Sequence, residues 1–537
     1  MSLLSCYQKP LSGINVPLFM QYLQNYNQVK RRFLYLGLTN GFKLHYKGPV
    51  SSRFEPNHAS VGKDPQLLRD KIASELQKGF TVGPFKSPPF SPFIVSPVGL
   101  VPKKEVGKYR MILDLSFPKD GTSVNAFIPR EFCTVKYEDF DYICDMVVEN
   151  GRGCLIANTD IESAFSILPI SPFDYWLLGF SYDGYYYFKR KLPMGASISC
   201  STFEELSRAL QFILKSMNFK YVHHILDDFV TVSSGLSRDC GLALQRFIEL
   251  CEELKIPLNH DKTVLPTTKT ILHGIEVCTL SMTARLPEDK LLKAKTIIKD
   301  LRFKRKTTLK ELQKALGFLN FACRVVKPGR IFLRRLFDLT SGVKSPFHHI
   351  RLTKASRKDL AAWDSFLDEF NGISLLTKEI WLSSSTMNLY SDAAQSCGFS
   401  LVFRDFWGFG QFSEMEQQLH ISVLELYPIV IALKLWACYF ENKCIRLHCD
   451  NMAVVHMINN QTSSNSCAMS LLRFMTVNCM KHNIFVKASH IPGSINFVAD
   501  AMSRLQVDKA RVYQPSLSID PVPIGSQLQL STLLLKY

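Results

Sequence analysis

An adjacent pair of aspartates inside an apolar run is the feature that most constrains what this chain can fold into. Asp227 and Asp228 interrupt residues 221–232, a segment of mainly β-branched, aromatic and other apolar side chains. This composition predicts two short strands with the acidic pair at the turn between them. Two adjacent carboxylates repel each other unless a cation neutralises them, and a divalent metal ion with oxygen ligands is the usual partner. The pair therefore predicts a metal-binding hairpin.

A third carboxylate stands in a similar setting upstream. Asp160 closes the strand-like run Leu155–Thr159 and opens a short segment that reaches Phe165. One carboxylate from a strand and two from a hairpin can hold two metal ions for an in-line attack on phosphorus. The three aspartates therefore predict one site for phosphoryl-transfer chemistry.

Length and charge indicate a multidomain protein with a polyanionic partner. The chain has 537 residues, which predicts two to four domains, and its formal net charge is +17. Residues 285–360 hold 21 Lys or Arg against 6 Asp or Glu. A solvated helix face usually carries both signs, so this imbalance favours a surface that follows phosphates. A basic protein that is merely soluble is the alternative interpretation of the charge.

Cysteine usage and apolar runs bear on the compartment. Fifteen cysteines are scattered without a C-x-x-C pair, which favours a reducing compartment over a disulfide framework or a zinc ribbon. The N-terminal segment lacks a long apolar core, and the chain has no run of about 18 apolar residues. We therefore expect an intracellular protein, cytoplasmic or nuclear, that is not secreted and has no membrane partner.

Periodicity along the chain predicts how the elements are arranged. Residues 65–80 have the apolar spacing of a helix, and strand-like and helical stretches alternate from about 155 to 280. Residues 286–340 are helical and basic in character. Four leucines in this stretch repeat at helical spacing and are expected in a core: Leu309, Leu312, Leu316 and Leu319.

The motifs around the first three aspartates resemble those of reverse transcriptases, over residues from about 95 to 340. The resemblance implies a palm in which Asp160, Asp227 and Asp228, with Ile161 in the same metal-binding set, hold two Mg²⁺ or Mn²⁺ ions. It also implies that a basic hairpin and the L-P-M-G turn bind the nucleotide, and that a lysine donates a proton to the leaving pyrophosphate. The residues concerned are Lys103, Arg110, Met194, Gly195 and Lys262.

One side chain near Asp160 bears on the choice of sugar, and one residue departs from the family pattern. An aromatic ring at Phe165 would clash with a ribose 2′-hydroxyl, so the resemblance implies synthesis of DNA. Ile225 stands where the family's hairpin usually has tyrosine. That tyrosine contributes to packing and binds no metal, so the departure bears on efficiency or fidelity more than on metal binding.

A second set of acidic residues follows near the C-terminus. Asp392 and Asp450 end alternating, strand-like runs, and Glu425 is predicted to open a helix whose apolar face runs to Phe440. Asp500 follows a loop that contains His490. We expect the four carboxylates to converge and to hold two metal ions.

This order of acidic residues resembles a ribonuclease H domain, over residues from about 386 to 505. The resemblance implies that Asp392, Glu425, Asp450 and Asp500 bind metal and that His490 helps product release or proton transfer. The implied reaction is metal-assisted hydrolysis of the RNA strand in an RNA–DNA hybrid.

The two resemblances together imply a multidomain fold of the α+β and α/β classes. It consists of a right-hand polymerase with fingers, palm and thumb, a connection segment and a ribonuclease H-like domain. The expected boundaries are an N-terminal extension of unknown role (1–60), fingers and palm (61–285), thumb (286–340), connection (341–385), ribonuclease H-like domain (386–505) and C-terminal tail (506–537).

The implied function is RNA-directed DNA polymerase with ribonuclease H activity, acting on a retroelement. The expected partners are an RNA template, a DNA primer, an RNA–DNA hybrid, deoxynucleoside triphosphates and a separate recombinase or integrase. Residues 316–330 and 490–504 look like the corresponding segments of tyrosine-recombinase (DIRS-type) retrotransposons, with LTR-type elements as the neighbouring alternative. Two alternatives stay open: an RNA-dependent RNA polymerase, which Phe165 and the nuclease motifs disfavour, and a catalytically inactive, nucleic-acid-binding relic.

Overall fold

The structure is a computed structural model that describes residues 12–102, 107, 109–135, 137, 140–369, 374–375, 381–441, 443–482 and 484–536. The chain divides into two compact units, residues 1–270 with 278–281 and residues 271–277 with 282–537. Both units combine helices with strands, so the predicted mixed, multidomain fold class is confirmed. The finer domain boundaries stay predictions.

The first unit contains short strands and medium-length helices. Its described helices are α1 (Val16–Tyr22), α2 (Gln28–Asn40), α3 (Pro65–Gln77), α4 (Phe140–Asn150), α5 (Ser199–Ser216) and α6 (Asp239–Leu254). Its strands are β1 (Arg53–Phe54), β2 (Thr81–Phe85), β3 (Ile94–Val95), β4 (Val98–Pro102), β5 (Tyr109–Leu113), β6 (Leu155–Asp160), β7 (Gly179–Tyr182), β8 (Tyr185–Lys189), β9 (Val222–Ile225), β10 (Asp228–Ser233) and β11 (Val264–Thr267).

A four-stranded antiparallel sheet in the order β11-β6-β10-β9 forms the centre of this unit. Helix α6 packs against β6 and β10, and α5 packs against β9. Residues 229–233 of β10 are consequently buried at every position instead of alternating. The predicted strand before Asp160 and the predicted hairpin at 227–228 are both confirmed. The strands of the predicted basic hairpin that carries Arg110 are also present, as the antiparallel pair β4-β5.

The N-terminal extension, whose role the sequence left open, belongs to the core of the first unit. Phe19, Leu23, Leu34 and Leu38 are buried in the same hydrophobic cluster as residues of β9, α5 and α6. The N–H of Asn15 donates to the carbonyl of Leu254 at 2.9 Å, which ties the start of α1 to the end of α6. This part of residues 1–60 therefore stabilises the sheet that carries the acidic hairpin.

The chain passes between the units within residues 269–285, and the second unit begins there. The strands from this point are β12 (Lys269–Leu272), β13 (Ile275–Cys278), β14 (Thr283–Arg285), β15 (Lys306–Thr308), β16 (His349–Arg351), β17 (Ser374–Leu375), β18 (Trp381–Ser383), β19 (Leu389–Ala393), β20 (Gly398–Phe403), β21 (Phe406–Gln411), β22 (Cys444–Cys449) and β23 (Phe485–His490). The helices are α7 (Glu288–Phe303), α8 (Leu309–Ala322), α9 (Arg334–Asp338), α10 (Lys354–Glu369), α11 (Ser384–Met387), α12 (Glu414–Gln417), α13 (Ile421–Leu435), α14 (Met452–Asn460), α15 (Ser466–Lys481), α16 (Phe497–Ser503), α17 (Val507–Tyr513) and α18 (Leu530–Lys536).

Two three-stranded sheets organise the C-terminal half of this unit. Strands β18, β22 and β23 run parallel, and β19, β20 and β21 form an antiparallel meander. Helices α13 and α16 both pack against β19 and β20. Strand β19 and helix α13, which carry two of the predicted acidic residues, are therefore direct neighbours.

The predicted starts of two elements in this half were wrong. Glu425 does not open its helix, because α13 begins at Ile421 and ends at Leu435, before the expected Phe440. Residues 426–433 of α13 are buried on every side, so no amphipathic period marks where the helix begins or ends. The strand that carries Asp392 was predicted to begin at Met387, but Met387 belongs to the short helix α11 and β19 begins at Leu389, so that Asp392 is its last residue but one.

The basic stretch after residue 285 is helical, as predicted, but a short strand interrupts it. Its four periodic leucines are buried, with exposed fractions between 0% and 3%, so the expected core position is confirmed. Strand β15 separates α7 from α8 and pairs with β16. Among the described residues, no helix has the combination of length and apolar composition that crossing a membrane requires.

Candidate active sites

The hairpin of β9 and β10 holds the acidic pair at its turn. Ile225 pairs with Asp228, so the turn itself consists of Leu226 and Asp227 only. Leu226 has a φ of +53°, a left-handed conformation that two-residue hairpin turns require. A leucine in this conformation costs about 1–2 kcal/mol, and the buried strands on both sides hold it there.

Strand register brings Asp160 beside this pair. Asp160 in β6 is the cross-strand partner of Asp228 in β10, which corresponds to a Cα separation of about 4.5–5.5 Å. The N–H of Ile161 donates to the carbonyl of Asp227 at 3.1 Å, and the N–H of Asn259 donates to the carbonyl of Asp160 at 2.8 Å. The main chain alone therefore fixes the three aspartates next to one another.

One lysine partly neutralises this cluster. Lys262 Nζ lies 2.6 Å from Asp160 Oδ2, and Asp160 is only 5% exposed. Burial, followed by the charge of Asp160, raises the pKa of Asp227 to about 6. Burial, followed by the charges of Asp227 and Asp160, raises the pKa of Asp228 to about 7. The hydrogen bond to Asp160 raises the pKa of Lys262.

The donor set of this cluster fits a hard divalent cation. Its acidic groups are the carboxylates of three aspartates, and Lys262, the one lysine in contact with them among the described residues, leaves most of their charge uncompensated, as the two raised aspartate pKa values indicate. Oxygen-only ligands are what Mg²⁺ and Mn²⁺ prefer. The residues able to hold such ions are Asp160, Asp227, Asp228 and the neighbouring main chain at Ile161.

The predicted L-P-M-G turn lies against β5 in a conformation that requires glycine. Gly195 has a φ of +129°, and a Cβ built there would lie 2.1 Å from the carbonyl oxygen of Leu113. Asn125 holds the turn, because its Nδ2 donates to the Gly195 carbonyl at 2.7 Å and its Oδ1 accepts from the N–H of Ser197 at 2.9 Å. Met194, half-buried, precedes this contact.

The remaining predicted nucleotide-binding residues differ in how far the structure describes them. The ring of Phe165 packs edge-on against Phe203, with centroids 5.7 Å apart. Arg110 lies exposed on β5, opposite Val101, and forms no ion pair among the residues that the structure describes. Lys103 lies outside the described residues.

The second set of acidic residues also converges, from four separate elements. Asp392 in β19 is 6% exposed and accepts a hydrogen bond from Ser503 Oγ at 2.6 Å. Ligand atoms of Glu425, Cys449 and Asp450 all lie within 4.8 Å of one another, a spacing that suits a shared metal ion. A Cβ built on Gly493 would lie 3.1 Å from Asp450 Oδ2, so the loop after β23 closes on this carboxylate.

The electrostatics of the second cluster link all four predicted carboxylates. Burial, followed by the charges of Asp392, Asp450 and Asp500, raises the pKa of Glu425 to about 9. Burial raises the pKa of Asp392 to about 6, although the bond from Ser503 opposes this change. Among the described residues, the one cationic side chain in contact with these carboxylates is Arg504, whose Nε lies 2.9 Å from Asp500 Oδ1.

His490 lies at the edge of this cluster. It is the cross-strand partner of Cys449, and its Nε2 lies 3.1 Å from the main-chain oxygen of Asp450. The side chain is exposed. The imidazole is therefore accessible to solvent, and its predicted role in proton transfer or product release stays a prediction.

Comparison with known proteins decides the identity of the first region. Residues 101–285 match the family model described as reverse transcriptase (RNA-dependent DNA polymerase). The chain contains a reverse transcriptase domain. Protein P of heron hepatitis B virus is 25% identical over 180 residues, which are 33% of this chain and 22% of that protein. The chain thus matches less than a quarter of the length of this curated relative.

Solved structures of foamy viral protease-reverse transcriptase are also similar to the chain. For a complex with double-stranded DNA, the sequence identity is 17% and the TM-score is 0.49. The match covers 89% of this chain and 82% of the solved chain. For a complex with an RNA/DNA hybrid, the sequence identity is 16% and the TM-score is 0.49. The match covers 89% of this chain and 63% of the solved chain.

Within the reverse transcriptase domain, sequence reasoning missed two supporting groups. Asn125, which holds the Gly195 turn, carries no local signal because its partners lie about 70 residues away in the sequence. Glu204 is 5% exposed and lies 3.3 Å from His224 Nε2, behind the acidic hairpin. His224 lies within the strand-like segment 221–232, but its partner in α5 belongs to no motif in the sequence.

Proposed function

We propose that this protein is an RNA-directed DNA polymerase with ribonuclease H activity, copying retroelement RNA and degrading the RNA of the resulting hybrid. The observation that carries the polymerase proposal is the cross-strand pairing of Asp160 with Asp228 inside the region that matches the reverse transcriptase family. One buried and two half-buried carboxylates, with Lys262 as their one lysine partner among the described residues, support a site for divalent metal.

The residues of the first cluster would divide the work of nucleotide transfer. Asp160, Asp227, Asp228 and Ile161 would hold two Mg²⁺ or Mn²⁺ ions, which supply Lewis-acid activation of the attacking and leaving oxygens when bound. Lys262, whose Nζ contacts Asp160, would donate a proton to the leaving pyrophosphate. Lys103 and Arg110 would bind the triphosphate as cations.

Three residues would orient the nucleotide and select its sugar. Phe165 would exclude the ribose 2′-hydroxyl, because an aromatic ring offers bulk and no acceptor for that group. Met194 and Gly195 would support the template and the incoming nucleotide, and the absence of a Cβ at Gly195 permits close approach of its main chain.

The second cluster would hydrolyse RNA in the hybrid. Asp392, Glu425, Asp450 and Asp500 would hold two metal ions, and His490 would exchange protons or help product release. These carboxylates lie close enough together that the charges of Asp392, Asp450 and Asp500 raise the pKa of Glu425, and this proximity supports the assignment.

The finer assignment concerns the kind of element and its partners. Residues 316–330 and 490–504 resemble DIRS-type retrotransposons, and a separate recombinase or integrase would then insert the DNA copy. The partners of the polymerase would be an RNA template, a DNA primer and deoxynucleoside triphosphates, and the nuclease would act on the RNA–DNA hybrid.

Primer extension on poly(rA)/oligo(dT) with Mg²⁺ or Mn²⁺ tests the proposal. We expect purified full-length protein to incorporate dTTP and, in a parallel assay, to cleave the RNA of a labelled hybrid. An Asp160→Asn variant is the control for contaminating polymerase. Absence of both activities in folded wild-type protein would overturn the proposal in favour of a catalytically inactive nucleic-acid-binding protein.

A further inference from the structure

One sulfur atom lies among the oxygen ligands of the second cluster. Cys449 is 4% exposed, and its Sγ lies within 4.8 Å of a carboxylate oxygen of Glu425 and one of Asp450. The first cluster has no thiol in the corresponding set of Asp160, Asp227 and Asp228. The two clusters therefore offer different chemistry to a metal ion.

The local structure explains why the consecutive side chains of Cys449 and Asp450 both lie beside Glu425. Cys449 is the last residue of β22, and Asn451 begins the turn into α14 by accepting hydrogen bonds from the N–H groups of Ala453 and Val454. Side chains alternate between faces only while the strand continues. Asp450 lies beyond its end, so its carboxylate can approach Glu425 from the same side as the sulfur of Cys449.

A thiolate changes which ions such a site prefers. Carboxylates suit Mg²⁺ and Mn²⁺, whereas thiolate sulfur favours softer ions such as Zn²⁺, Co²⁺ and Cd²⁺. Zinc sites in proteins commonly combine sulfur with nitrogen or carboxylate ligands at a coordination number of four. Glu425, Cys449 and Asp450 provide three such ligands, and a water molecule completes a set of four.

We propose that Cys449 makes one metal position of the second cluster selective for thiophilic divalent ions, so that Zn²⁺ competes there with Mg²⁺. When such an ion binds, a sulfur–metal bond forms at Cys449, and the thiol proton leaves to solvent. This inference rests on the proposed nuclease function, since it assigns a metal selectivity to the same cluster. It predicts that Zn²⁺ inhibits the hybrid cleavage that Mg²⁺ supports.

Cobalt spectroscopy on the full chain tests this selectivity without using activity. Co²⁺ bound through sulfur gives a charge-transfer absorption in the near ultraviolet, and Co²⁺ bound through oxygen alone does not. We expect this band in the wild-type protein and its loss in Cys449→Ser. The affinity for Co²⁺ should fall by at least about 10- to 100-fold in that variant, because removal of a mere hydrogen-bond partner of a metal ligand already has an effect of this size. The matched control is Cys438→Ser, at an exposed cysteine of the same unit, and it should keep the band.

Two further measurements keep the test decisive if Cys449→Ser folds poorly. Glu425→Gln retains the thiol and should weaken the sulfur–cobalt band, because sulfur and carboxylate share one ion. Mg²⁺ added in excess should lower the apparent affinity for Co²⁺. A band of equal strength in wild type and Cys449→Ser, or a band insensitive to both Glu425→Gln and Mg²⁺, would overturn the inference.

The metal selectivity and the nuclease activity are measured separately, so that failure of one is distinguishable from failure of the other. Cleavage of hybrid by wild-type protein with Mg²⁺ tests that activity on its own. A sulfur–cobalt band without any cleavage would support the metal selectivity and refute the nuclease. Cleavage without the band would support the nuclease and refute the selectivity.

Discussion

The two acidic clusters of this protein reach similar chemistry by different structural means. In the first, β-sheet register sets the positions, because Asp160 and Asp228 are paired residues and Ile161 bonds to the carbonyl of Asp227. In the second, sheet register places Asp392 opposite Ser400, but Glu425 lies on a helix, so the packing of α13 against β19 and not a strand pair brings the two carboxylates together, with a hydrogen bond from Ser503 to Asp392. We infer that the second cluster is more sensitive to substitutions that leave the main chain intact.

The clusters also differ in charge compensation. Lys262 contacts a carboxylate at the centre of the first cluster, whereas Arg504 contacts only Asp500 at the more exposed side of the second. The aspartate pKa values in the first rise to about 6 and 7, but that of Glu425 rises to about 9. The second cluster should therefore depend more strongly on a bound cation.

Asparagine substitutions should separate the two clusters and give the largest effect. We expect Asp228→Asn to lower primer extension by on the order of 10²–10³-fold or more, the loss typical of one key electrostatic contact, while hybrid cleavage is retained. Asp392→Asn should produce the reverse pattern. Asparagine has nearly the same volume as aspartate, but it lacks the negative charge and carries an amide nitrogen, which does not bind Mg²⁺, in place of one carboxylate oxygen.

Both assays on both variants, with melting temperatures to check folding, test this separation. If either substitution abolished both activities in folded protein, the clusters would not be independent sites and the comparison would break.

Phe165→Val should change sugar selection at the first cluster only. The smaller side chain leaves room for a 2′-hydroxyl, so discrimination against ribonucleotides should fall by on the order of tenfold or more. The measurement is the ratio of kcat/KM for a deoxynucleotide and the matching ribonucleotide. Phe173→Val, at a ring that is 80% exposed, is the matched control. An unchanged ratio in Phe165→Val would remove this residue from the nucleotide site.

The first cluster was predictable from sequence because its order arises from local patterns. The strand-like run before Asp160 and the β-branched, aromatic and other apolar residues on both sides of Asp227 and Asp228 predicted strands, and paired strands fix the positions of their ends. The start of α13 was not predictable, since a helix buried on all sides has no period that separates inside from outside. The core role of α1 was likewise hidden, because its partner Leu254 lies far away in sequence.

Metal-free protein should lose stability with rising pH, mainly because of the second cluster. A carboxyl whose pKa is higher in the folded than in the unfolded state holds its proton more tightly when folded. For Glu425 this contribution is fully present below about 4.5 and is lost as pH rises towards about 9. Between pH 7 and pH 9 the first cluster adds less, since the pKa values of Asp227 (about 6) and Asp228 (about 7) place most of their ionisation at or below pH 7.

Melting temperatures in a chelating buffer measure this effect. We expect a decrease of a few degrees between pH 7 and pH 9, a smaller decrease in Glu425→Gln, and recovery when Mg²⁺ is added. An equal decrease in wild type and Glu425→Gln would show that Glu425 does not carry the uncompensated charge, and the contrast between the clusters would lose its electrostatic basis.

Ser503→Ala should give the smallest effect and test whether side-chain hydrogen bonds order the second cluster. Ser503 Oγ donates to buried Asp392 at 2.6 Å, so its removal leaves a carboxylate oxygen without that donor and should cost about 1–3 kcal/mol of unfolding free energy. Ser470→Ala is the matched control, because Ser470 is also buried in the same unit but bonds only to the main chain of its own helix. Hybrid cleavage should fall in Ser503→Ala and not in Ser470→Ala, while primer extension stays constant in both. Equal cleavage in the two variants would mean that packing alone positions Asp392, and the second cluster would then be as robust as the first.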